Sequence, residues 1–350
     1  MIKMTFDNIY NNRRVFLTGH TGFKGTWLTT WLLKLRAKIR GYSLDIPSNP
    51  NHFSFLKNTI DDCRGDVRNF ERLSQCLNEF EPEIVFHFAA QPIVRTSYND
   101  PLRTLDTNIM GTANLLEICR KIPSVRAVAI ITTDKCYENK EWIWGYREND
   151  SLGGHDPYSA SKTCAEIITA SFRNSFPNGN LLIASCRAGN VIGGGDWASD
   201  RLIPDLVRAA AENNITTIRM PNATRPWQHV LEPLNGYLLL GQKLLEGKKE
   251  FAEAWNFGPG VDGNLDVGNM VNLASKFWNK IKYNIASNNN DKHESTKLTL
   301  DSSKAQLKLN WKPKWTLEKS VERTITWYRE FYEQKQIQTL RQIEEYTDHS

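Results

Sequence analysis

The stretch VFLTGHTGFKG, residues 15–25, joins a short apolar run to three glycines spaced three residues apart, and a helix-length amphipathic segment follows. A strand that turns at glycines into a helix brings backbone N–H groups and the positive end of the helix dipole to one place. Such a place binds a pyrophosphate group favourably. Glycines at a strand-to-helix turn also occur for purely structural reasons, so the rest of the chain has to decide between these interpretations.

Short apolar runs alternate with helix-length segments through the first half of the chain, which is typical of successive βαβ units around a parallel sheet. We predict strands at 15–18, 39–43, 63–65, 84–88, 127–132 and 181–186, and helices near 23–36, 69–80, 101–121 and 158–176. The predicted fold class is α/β, a Rossmann-type doubly wound parallel sheet with a smaller C-terminal α/β substrate-binding domain.

The chain has 350 residues, more than one hydrophobic core usually serves. Its pattern changes to Gly-rich loops and shorter elements after residue 187. We therefore predict a dinucleotide-binding domain at 1–187, with later returns near 229–258, and a substrate-binding domain over most of 188–350.

Three later segments carry separate predictions. An apolar run at 255–257 follows a helix expected at 231–246, which repeats the βαβ order and indicates a strand that returns to the first sheet. We predict a polar loop at 287–292 and a closing helix at 316–333.

Composition and charge exclude several classes of protein. The formal net charge of +5 suits a phosphorylated small molecule and is too small for a nucleic-acid-binding surface. The chain has no apolar run long enough to span a bilayer and no signal peptide at its start, so we expect a cytoplasmic protein without a membrane partner. Its six cysteines form no Cys-x-x-Cys pair, so we expect neither a disulfide framework nor a metal site.

Acidic residues after the second and third predicted strands suit a dinucleotide. Asp45 lies 20 residues beyond Gly25, where a carboxylate accepts hydrogen bonds from the adenosine ribose and repels a 2′-phosphate. This position favours NAD over NADP. Asp45 is alternatively a cap for the turn before Pro47, and Asp66 either accepts from the adenine amino group or caps the next helix.

The glycine loop also contains two potential cations, His20 and Lys24. Placed beside a pyrophosphate, they would tighten cofactor retention by Coulomb attraction. Lys24 has a second interpretation, as an exposed lysine in the first turn of the helix.

Tyr158 and Lys162 form the only Tyr-x-x-x-Lys pattern in the chain. One helical turn separates them, so they share a face of the predicted helix. A tyrosine has a reference pKa near 10, and a tyrosine base needs a lower one near neutrality, which we expect Lys162 and a cationic nicotinamide to supply. The pattern alone is mostly chance, but it follows a dinucleotide loop and a strand ending in Thr132 and Thr133.

Together with Ala89 and Ala90 after the fourth strand and Asn108 in the next helix, these residues resemble the extended short-chain dehydrogenase/reductase family over nearly the whole chain. The strings TDKCY at 133–137, RAGNVIGGGDW at 187–197 and RPWQHV at 225–230 are most similar to its nucleotide-sugar 4,6-dehydratase branch. The resemblance implies a tightly bound NAD that is regenerated in each turnover. The expected cofactor-binding residues are Gly19, His20, Gly22, Phe23, Lys24, Gly25, Asp45, Asp66, Ala89, Ala90, Asn108, Tyr158 and Lys162.

The resemblance also implies a reaction. Tyr158 removes the proton of the sugar C4 hydroxyl while hydride leaves C4, and Thr133 hydrogen-bonds the same oxygen. The resulting ketone acidifies C5–H, so a base takes that proton while an acid protonates the departing C6 hydroxyl, and hydride returns to C6. Asp134 is the candidate acid, which requires a raised pKa.

Lys135 occupies the position of the glutamate base of dTDP-glucose dehydratases. It acts either as a neutral amine that removes the C5 proton, which requires a lowered pKa, or as a cation that stabilises the enolate. We favour the base, because Lys162 and the nicotinamide both disfavour a further cation.

For the substrate, the resemblance implies CDP-glucose, with Arg225 on the diphosphate and Asn190 beside the sugar. Arg187, Arg201 and Arg219 are further candidates that are equally interpretable as solvated arginines. His155 and His229 are either ligands or acid/base groups, or hydrogen-bonded structural histidines, and we favour the structural interpretation for each. The aromatic stretch at 141–148 is either a wall that excludes water or ordinary core.

Two other functions remain open. A nucleotide-sugar 4-epimerase would share Thr133, Tyr158 and Lys162 but would not need Asp134 and Lys135, and a non-catalytic dinucleotide sensor would usually lack the Tyr/Lys pair. The resemblance further implies a homodimer or dimer of dimers through helices near 101–121 and 158–176. It also implies a role in deoxysugar supply for lipopolysaccharide O-antigen.

Overall fold

The computed structural model describes residues 5–56, 58–177, 180–286 and 297–348, so the polar loop predicted at 287–292 lies outside the described residues. Its strands, in chain order, are β1 Arg14–Thr18, β2 Lys38–Ser43, β3 Asp61–Arg64, β4 Ile84–His87, β5 Ala127–Ile131, β6 Leu182–Ala188, β7 Val191–Ile192, β8 Thr216–Ile218, β9 Thr224–Pro226, β10 Gln228–His229, β11 Ala254–Phe257, β12 Asn264–Asp266 and β13 Tyr283–Ile285.

The helices are α1 Phe23–Lys34, α2 Phe70–Phe80, α3 Val94–Asn99, α4 Pro101–Leu105, α5 Gly111–Cys119, α6 Pro157–Ser175, α7 Leu202–Ala211, α8 Leu231–Leu245, α9 Val267–Phe277, α10 Ser303–Leu309, α11 Leu317–Gln334 and α12 Thr339–Asp348. A π-helical turn, Asp106–Met110, joins α4 to α5, so the helix predicted at 101–121 is one run with a local widening.

Seven strands form one parallel sheet in the order β11-β6-β5-β4-β1-β2-β3. β4, β5 and β6 are buried along their whole length, because helices cover both faces of a parallel sheet. This architecture confirms the predicted doubly wound α/β class. β11 pairs in parallel with β6, which confirms that residues 255–257 return to the first sheet.

Elements after β6 add a second group of structures beside the carboxyl ends of the strands. Three two-stranded sheets pair β7 with β10, β9 with β12 and β8 with β13. α7 and α9 pack with them, and buried Val207 and Met270 belong to the same hydrophobic core as the large sheet. These elements supply the wall that faces the glycine loop.

The prediction of a closing helix at 316–333 was wrong in one respect. α11 occupies that range, but α12 follows it and packs against α1, where the rings of Trp31 and Tyr346 lie 5.7 Å apart. α12 is largely polar and places Ile343 and Tyr346 on one buried face.

The expectation of no disulfide was also wrong. Cys63 of β3 and Cys76 of α2 form a disulfide with an S–S distance of 2.07 Å. The βα connection brings the strand and the following helix together, and this contact is not visible in the cysteine spacing. In the part of the chain that the structure describes, no three His, Cys, Asp or Glu side chains converge as a metal site, and each helix is too short or too polar to cross a bilayer.

Candidate active site

A cleft of about 1390 Å³ lies at the carboxyl ends of the parallel strands, where open α/β sheets bind their ligands. The glycine loop, the end of β5 and the start of α6 form one side, and the segments around 190–205 and 216–227 form the other. The sequence-predicted residues that line the cleft are Gly19, Gly22, Phe23, Lys24, Gly25, Asp45, Asp66, Ala89, Ala90, Thr133, Asp134, Lys135, Tyr158, Lys162, Asn190, Arg201, Arg219 and Arg225. His20, Asn108 and Arg187 are the predicted residues that the structure does not place on its wall.

The glycine loop closes so tightly that side chains would not fit. Gly19 has φ +72°, and a Cβ there would lie 2.7 Å from the backbone nitrogen of Ala89. A Cβ on Gly25 would lie 2.1 Å from the Gly19 carbonyl oxygen. The loop therefore requires glycine for backbone geometry and leaves the N-terminus of α1 open to an anionic group.

His20 lies beneath the loop, contrary to its expected contact with a pyrophosphate. Its ring is fully buried against Gly41, with Nε2 at 2.9 Å from Asp62 and Nδ1 at 2.9 Å from the Ser43 hydroxyl. Burial lowers the pKa of His20, although Asp62 opposes the change. His20 is thus a hydrogen-bonded structural residue that supports the loop from below.

Lys24, in contrast, extends into the cleft, so its interpretation as an exposed first-turn lysine is wrong. Burial, then the positive charges of Arg201 and Lys162, lower the pKa of Lys24 to about 8. Asp134 acts in the opposite direction. The ammonium therefore lies among the catalytic candidates at the centre of the cleft.

The two acidic residues of the adenosine side differ in their contacts. Asp45 is exposed at the rim, and no hydrogen bond of its carboxylate is found within the described residues, which does not favour a capping role. Asp66 accepts hydrogen bonds from the backbone and guanidinium of Arg68. Burial opposes ionisation of Asp66, but the bonds from Arg68 prevail and lower its pKa. Asp45 is the carboxylate that remains available at the cleft.

Asn108 lies behind the cleft wall rather than on it. Its side chain accepts from the backbone N–H of Gln91 at 2.8 Å and donates to Ser161 Oγ at 2.8 Å. Ser161 lies on α6 between Tyr158 and Lys162. Asn108, in the π-helical turn, therefore ties the loop after β4 to the catalytic helix, and its predicted cofactor contact does not match this position.

The Tyr/Lys pair is buried on the first turns of α6, which begins at an Asp156 cap. Lys162 Nζ donates to the Ile131 carbonyl at 3.1 Å, and burial lowers the pKa of Lys162 to about 8. Burial raises the pKa of Tyr158 to about 12, while Arg201 and a hydrogen bond with Thr133 act to lower it. In the chain alone the phenol is therefore not activated as the sequence predicted, and Arg201 rather than Lys162 is the cation that favours its ionisation.

Thr133 and Asp134 stand where β5 ends in a short 3-10 turn, Asp134–Cys136. The Thr133 hydroxyl donates to Asp134 Oδ1 at 2.9 Å. Burial raises the pKa of Asp134, although Lys135, Thr133, Arg225 and Lys24 act in the opposite direction. The other carboxyl oxygen is buried without a partner among the described residues, so this group has the environment of a neutral acid that faces the cleft.

Lys135 follows directly on the same turn. Its backbone N–H donates to the Thr133 hydroxyl at 3.3 Å, and its side chain lines the cleft. No hydrogen bond or ion pair of its ammonium is found within residues 5–56, 58–177, 180–286 and 297–348. The group is therefore free to act on a bound molecule.

Three arginines and one asparagine line the opposite wall. Arg201 Nη1 lies 2.8 Å from Asp196, and Arg219 lies 3.9 Å from Asp200. Arg225 is 7% exposed and is held on β9. Arg201 and Arg219 thus each face an aspartate on this wall, and guanidinium groups are suited to a diphosphate.

Arg187 was also expected on the substrate, but it points to the other side of β6. It is 3% exposed and forms an ion pair with Glu166 at 2.8 Å. Successive side chains of a strand alternate between faces, and Ala188 rather than Arg187 faces the cleft.

The tryptophans of the 141–148 stretch do not form a wall of the cleft. Trp142 stacks on Tyr146 with ring centroids 5.2 Å apart, and Trp144 is 66% exposed. Residues 138–141 line the cleft in their place.

The structure places His155 and His229 in different environments. His155 lines the cleft, whereas His229 is fully buried between Trp27 and Trp315, and burial lowers its pKa to about 3. His229 is a neutral structural residue.

Sequence reasoning missed Asp196 and Glu166, the acidic partners of Arg201 and Arg187. Glu166 was recognisable from the sequence as a neighbour of Lys162, since it lies four residues later on the same helix face. No sequence pattern identified Asp196 as the partner of Arg201, beyond its position in the Gly-rich loop.

The cleft lies on a seven-stranded parallel sheet beside a glycine loop, and its wall contains Thr133, Tyr158 and Lys162. These features define an extended short-chain dehydrogenase/reductase. More specifically, the chain belongs to the GDP-mannose 4,6 dehydratase family, whose model matches residues 16–324.

The chain is similar to several known proteins. It is 46% identical over 349 residues to the CDP-glucose 4,6-dehydratase of Salmonella typhimurium, with 97% of both chains covered. Its fold is similar to that of an epimerase from Methanothermobacter thermautotrophicus, with a TM-score of 0.83, 23% identity and 97% of both chains covered. It is also similar to a dTDP-glucose 4,6-dehydratase from Bacillus anthracis in complex with NAD, with a TM-score of 0.74, 21% identity and 94% and 99% covered.

Proposed function

We propose that this protein is an NAD-dependent hydro-lyase that converts CDP-D-glucose to CDP-4-dehydro-6-deoxy-D-glucose and water. The observation that carries the proposal is Asp134, a buried carboxyl with a raised pKa that faces the cleft beside Thr133 and Tyr158. Loss of the C6 hydroxyl needs such a proton donor, and a 4-epimerase does not. The similarity to the Salmonella typhimurium enzyme supports cytosine as the nucleobase.

The residues present fit NAD. The glycine cradle excludes side chains at Gly19 and Gly25, and Asp45 stands at the rim where a ribose would lie. When bound, NAD supplies a reversible hydride acceptor for the sugar and is regenerated within each turnover. We propose that residues 1–187, with the returns near 229–258, hold this cofactor, and that 188–350 mainly hold the nucleotide sugar.

The chain's own groups handle the protons. Tyr158 accepts the C4 hydroxyl proton, and the positive charge of Arg201 favours the phenolate that this requires. Thr133 holds the C4 oxygen. Asp134 gives its proton to the departing C6 hydroxyl, which leaves as water.

Removal of the C5 proton is assigned to Lys135. It is adjacent to Asp134 in sequence and lines the same cleft, and as the base it acts in its neutral amine form. In the alternative role it remains charged and stabilises the enolate. Arg201, Arg219 and Arg225 bind the diphosphate, and Asn190 lies near the sugar.

We further propose a homodimer or dimer of dimers through α4–α5 and α6. Leu102, Met110 and Ile167 on these elements are 78%, 50% and 54% exposed and offer apolar surface for such a contact. A cytoplasmic location and a role in O-antigen deoxysugar supply complete the proposal.

The test is incubation of the purified protein and NAD with CDP-, UDP-, GDP- and dTDP-glucose, followed by mass spectrometry. Loss of one water from CDP-glucose alone is expected. Unchanged mass with inverted C4 stereochemistry would identify an epimerase, and no change in any sugar would indicate a non-catalytic sensor. Loss of water from another nucleotide sugar in preference would overturn the CDP assignment while preserving the reaction.

A further inference from the structure

A buried ion pair lies directly behind the catalytic turn. Glu166 Oε2 and Arg187 Nη2 are 2.8 Å apart, and the side chains are 2% and 3% exposed. Neither residue lines the cleft. Burying two charges costs several kcal/mol unless their remaining polar atoms are also hydrogen-bonded. The other contacts of the pair therefore show which segments of the chain it joins.

The Glu166 carboxylate accepts hydrogen bonds from three side chains. It accepts hydrogen bonds from the hydroxyls of Thr132 and Ser185 in addition to Arg187. Burial opposes its ionisation, but Arg187 and the hydroxyl donors prevail and lower the pKa of Glu166. The group is therefore an anion at neutral pH.

Arg187 connects this anion to the far end of the turn. Its Nη1 donates to the Tyr137 hydroxyl at 2.7 Å and to the Glu148 carbonyl at 3.1 Å. The guanidinium also lies over the Tyr137 ring, 4.9 Å from its centroid. The Tyr137 hydroxyl in turn donates to Asn256 Oδ1 at 2.7 Å on the edge strand β11.

The two contacts enclose the catalytic residues. Thr132 immediately precedes Thr133, and Tyr137 comes two residues after Lys135, so one ion pair holds the chain on both sides of residues 133–135. We propose that Glu166 and Arg187 are positioning residues that fix the catalytic turn and hold the charge of Lys162. This rests on the proposed function, and it replaces the expected contact of Arg187 with substrate.

The effect on Lys162 follows from α6. Glu166 lies one helical turn after Lys162, and its negative charge raises the pKa of Lys162 against the larger lowering by burial. The other titratable groups that interact electrostatically with Lys162 are Cys136, Lys24 and His87. Burial lowers the pKa of His87 to about 3, so this ring remains neutral, and Glu166 is the nearby anion that keeps the ammonium protonated.

The experiment compares Glu166→Gln, Arg187→Lys and Tyr137→Phe in the NAD-loaded protein. We expect each to lower kcat by about tenfold or more with KM for CDP-glucose within about twofold, since the reacting groups move but the substrate contacts do not. Arg187→Lys loses activity because an ammonium does not reproduce the forked contact with Glu166 and Tyr137. Glu253→Gln, which removes a partly exposed partner of Lys304, is the matched control with unchanged kinetics.

A second readout does not depend on turnover. Titration of the Lys162 side chain by nuclear magnetic resonance with 13Cε-lysine, assigned by Lys162→Arg, should show a lower pKa in Glu166→Gln and an unchanged one in Tyr137→Phe. A raised KM with normal kcat would make Arg187 a substrate ligand and overturn the proposal. Folded variants with wild-type kcat and an unshifted Lys162 titration would overturn it equally. If the wild type dehydrates no sugar, the proposed function fails, while the titration still reports on Glu166.

Discussion

The Thr133 hydroxyl donates to Asp134 Oδ1 at 2.9 Å, and Thr133 also acts on Tyr158, where it lowers the pKa of the phenol. A hydroxyl has one proton to donate, so Thr133 donates either to Asp134 or to a Tyr158 phenolate. One threonine thus serves both the proposed base for the C4 hydroxyl and the proposed acid for the C6 hydroxyl.

Replacing the acid should stop elimination without loss of binding. Asp134→Asn keeps the size and the bond from Thr133 but has no carboxyl proton, so we expect kcat to fall by about 100-fold or more with KM little changed. Water loss from CDP-glucose, followed by mass, is the measurement. Asp266→Asn, which alters a half-buried cap of α9 that asparagine also serves, is the control. Normal turnover by Asp134→Asn would assign the acid elsewhere.

The two possible roles of Lys135 are separated by charge. Lys135→Met should abolish dehydration but leave NAD retention intact, because the side chain lies beyond the glycine cradle. Lys135→Arg is the discriminating variant, since a guanidinium remains charged and does not act as a base. If Lys135 is the base, the arginine variant loses exchange of the C5 hydrogen with deuterated solvent. Retained exchange would favour the stabilising cation.

Activity should fall at high pH. Burial lowers the pKa of Lys162 to about 8, so the ammonium loses its proton as pH rises above that value, and the active site loses one of its positive charges. We expect kcat to decline above about pH 8 in a profile from pH 6 to 10. Lys162→Arg should be less active but lack this decline, because arginine stays protonated. A decline that persists in Lys162→Arg would assign it to another group.

Asp45 should set the choice of dinucleotide. Its carboxylate repels a 2′-phosphate, so Asp45→Ala is expected to reduce the ratio of NAD to NADP affinity by about tenfold or more. Binding is measured by calorimetry with each dinucleotide. Asp61→Ala, which removes a surface partner of Arg40, should leave the ratio unchanged. An unaltered ratio in Asp45→Ala would contradict its place at the ribose.

Glu232 should make the fold less stable as pH rises. Burial raises its pKa to about 7, although Tyr346 and the backbone of Trp315 and Lys314 donate to it. A folded pKa above the unfolded value near 4.5 means that the folded state binds more protons between these values. Stability is therefore full below about pH 4.5 and is lost as pH rises through about 7, by at most on the order of 3 kcal/mol.

The measurement is urea unfolding at pH 5 and pH 8. Glu232→Gln should flatten the difference between the two, whereas Glu344→Gln, at an exposed pair with Lys34, should retain it. A variant with the wild-type pH dependence would remove Glu232 as its source.

Much of the fold and half of the site follow from short-range sequence patterns. The strand of residues 15–18, the glycines after it and the Tyr-x-x-x-Lys spacing each depend on neighbours within about one helical turn or one strand, and the structure places all of them as expected. The return of residues 255–257 was also predictable, because βαβ order constrains where an apolar run can pair.

The sequence by itself determined that the chain forms a doubly wound sheet with a glycine loop, a Thr/Tyr/Lys set and an acid beside them. Only the tertiary structure decided the environment of those groups: His20 under the loop, Arg187 on Glu166, and Arg201 rather than Lys162 as the cation acting on Tyr158. The physical reason is that local periodicity fixes backbone conformation. Burial, in contrast, is set by side chains far apart in sequence, and burial raises the pKa of Asp134 and lowers that of Lys162 against the nearby charges.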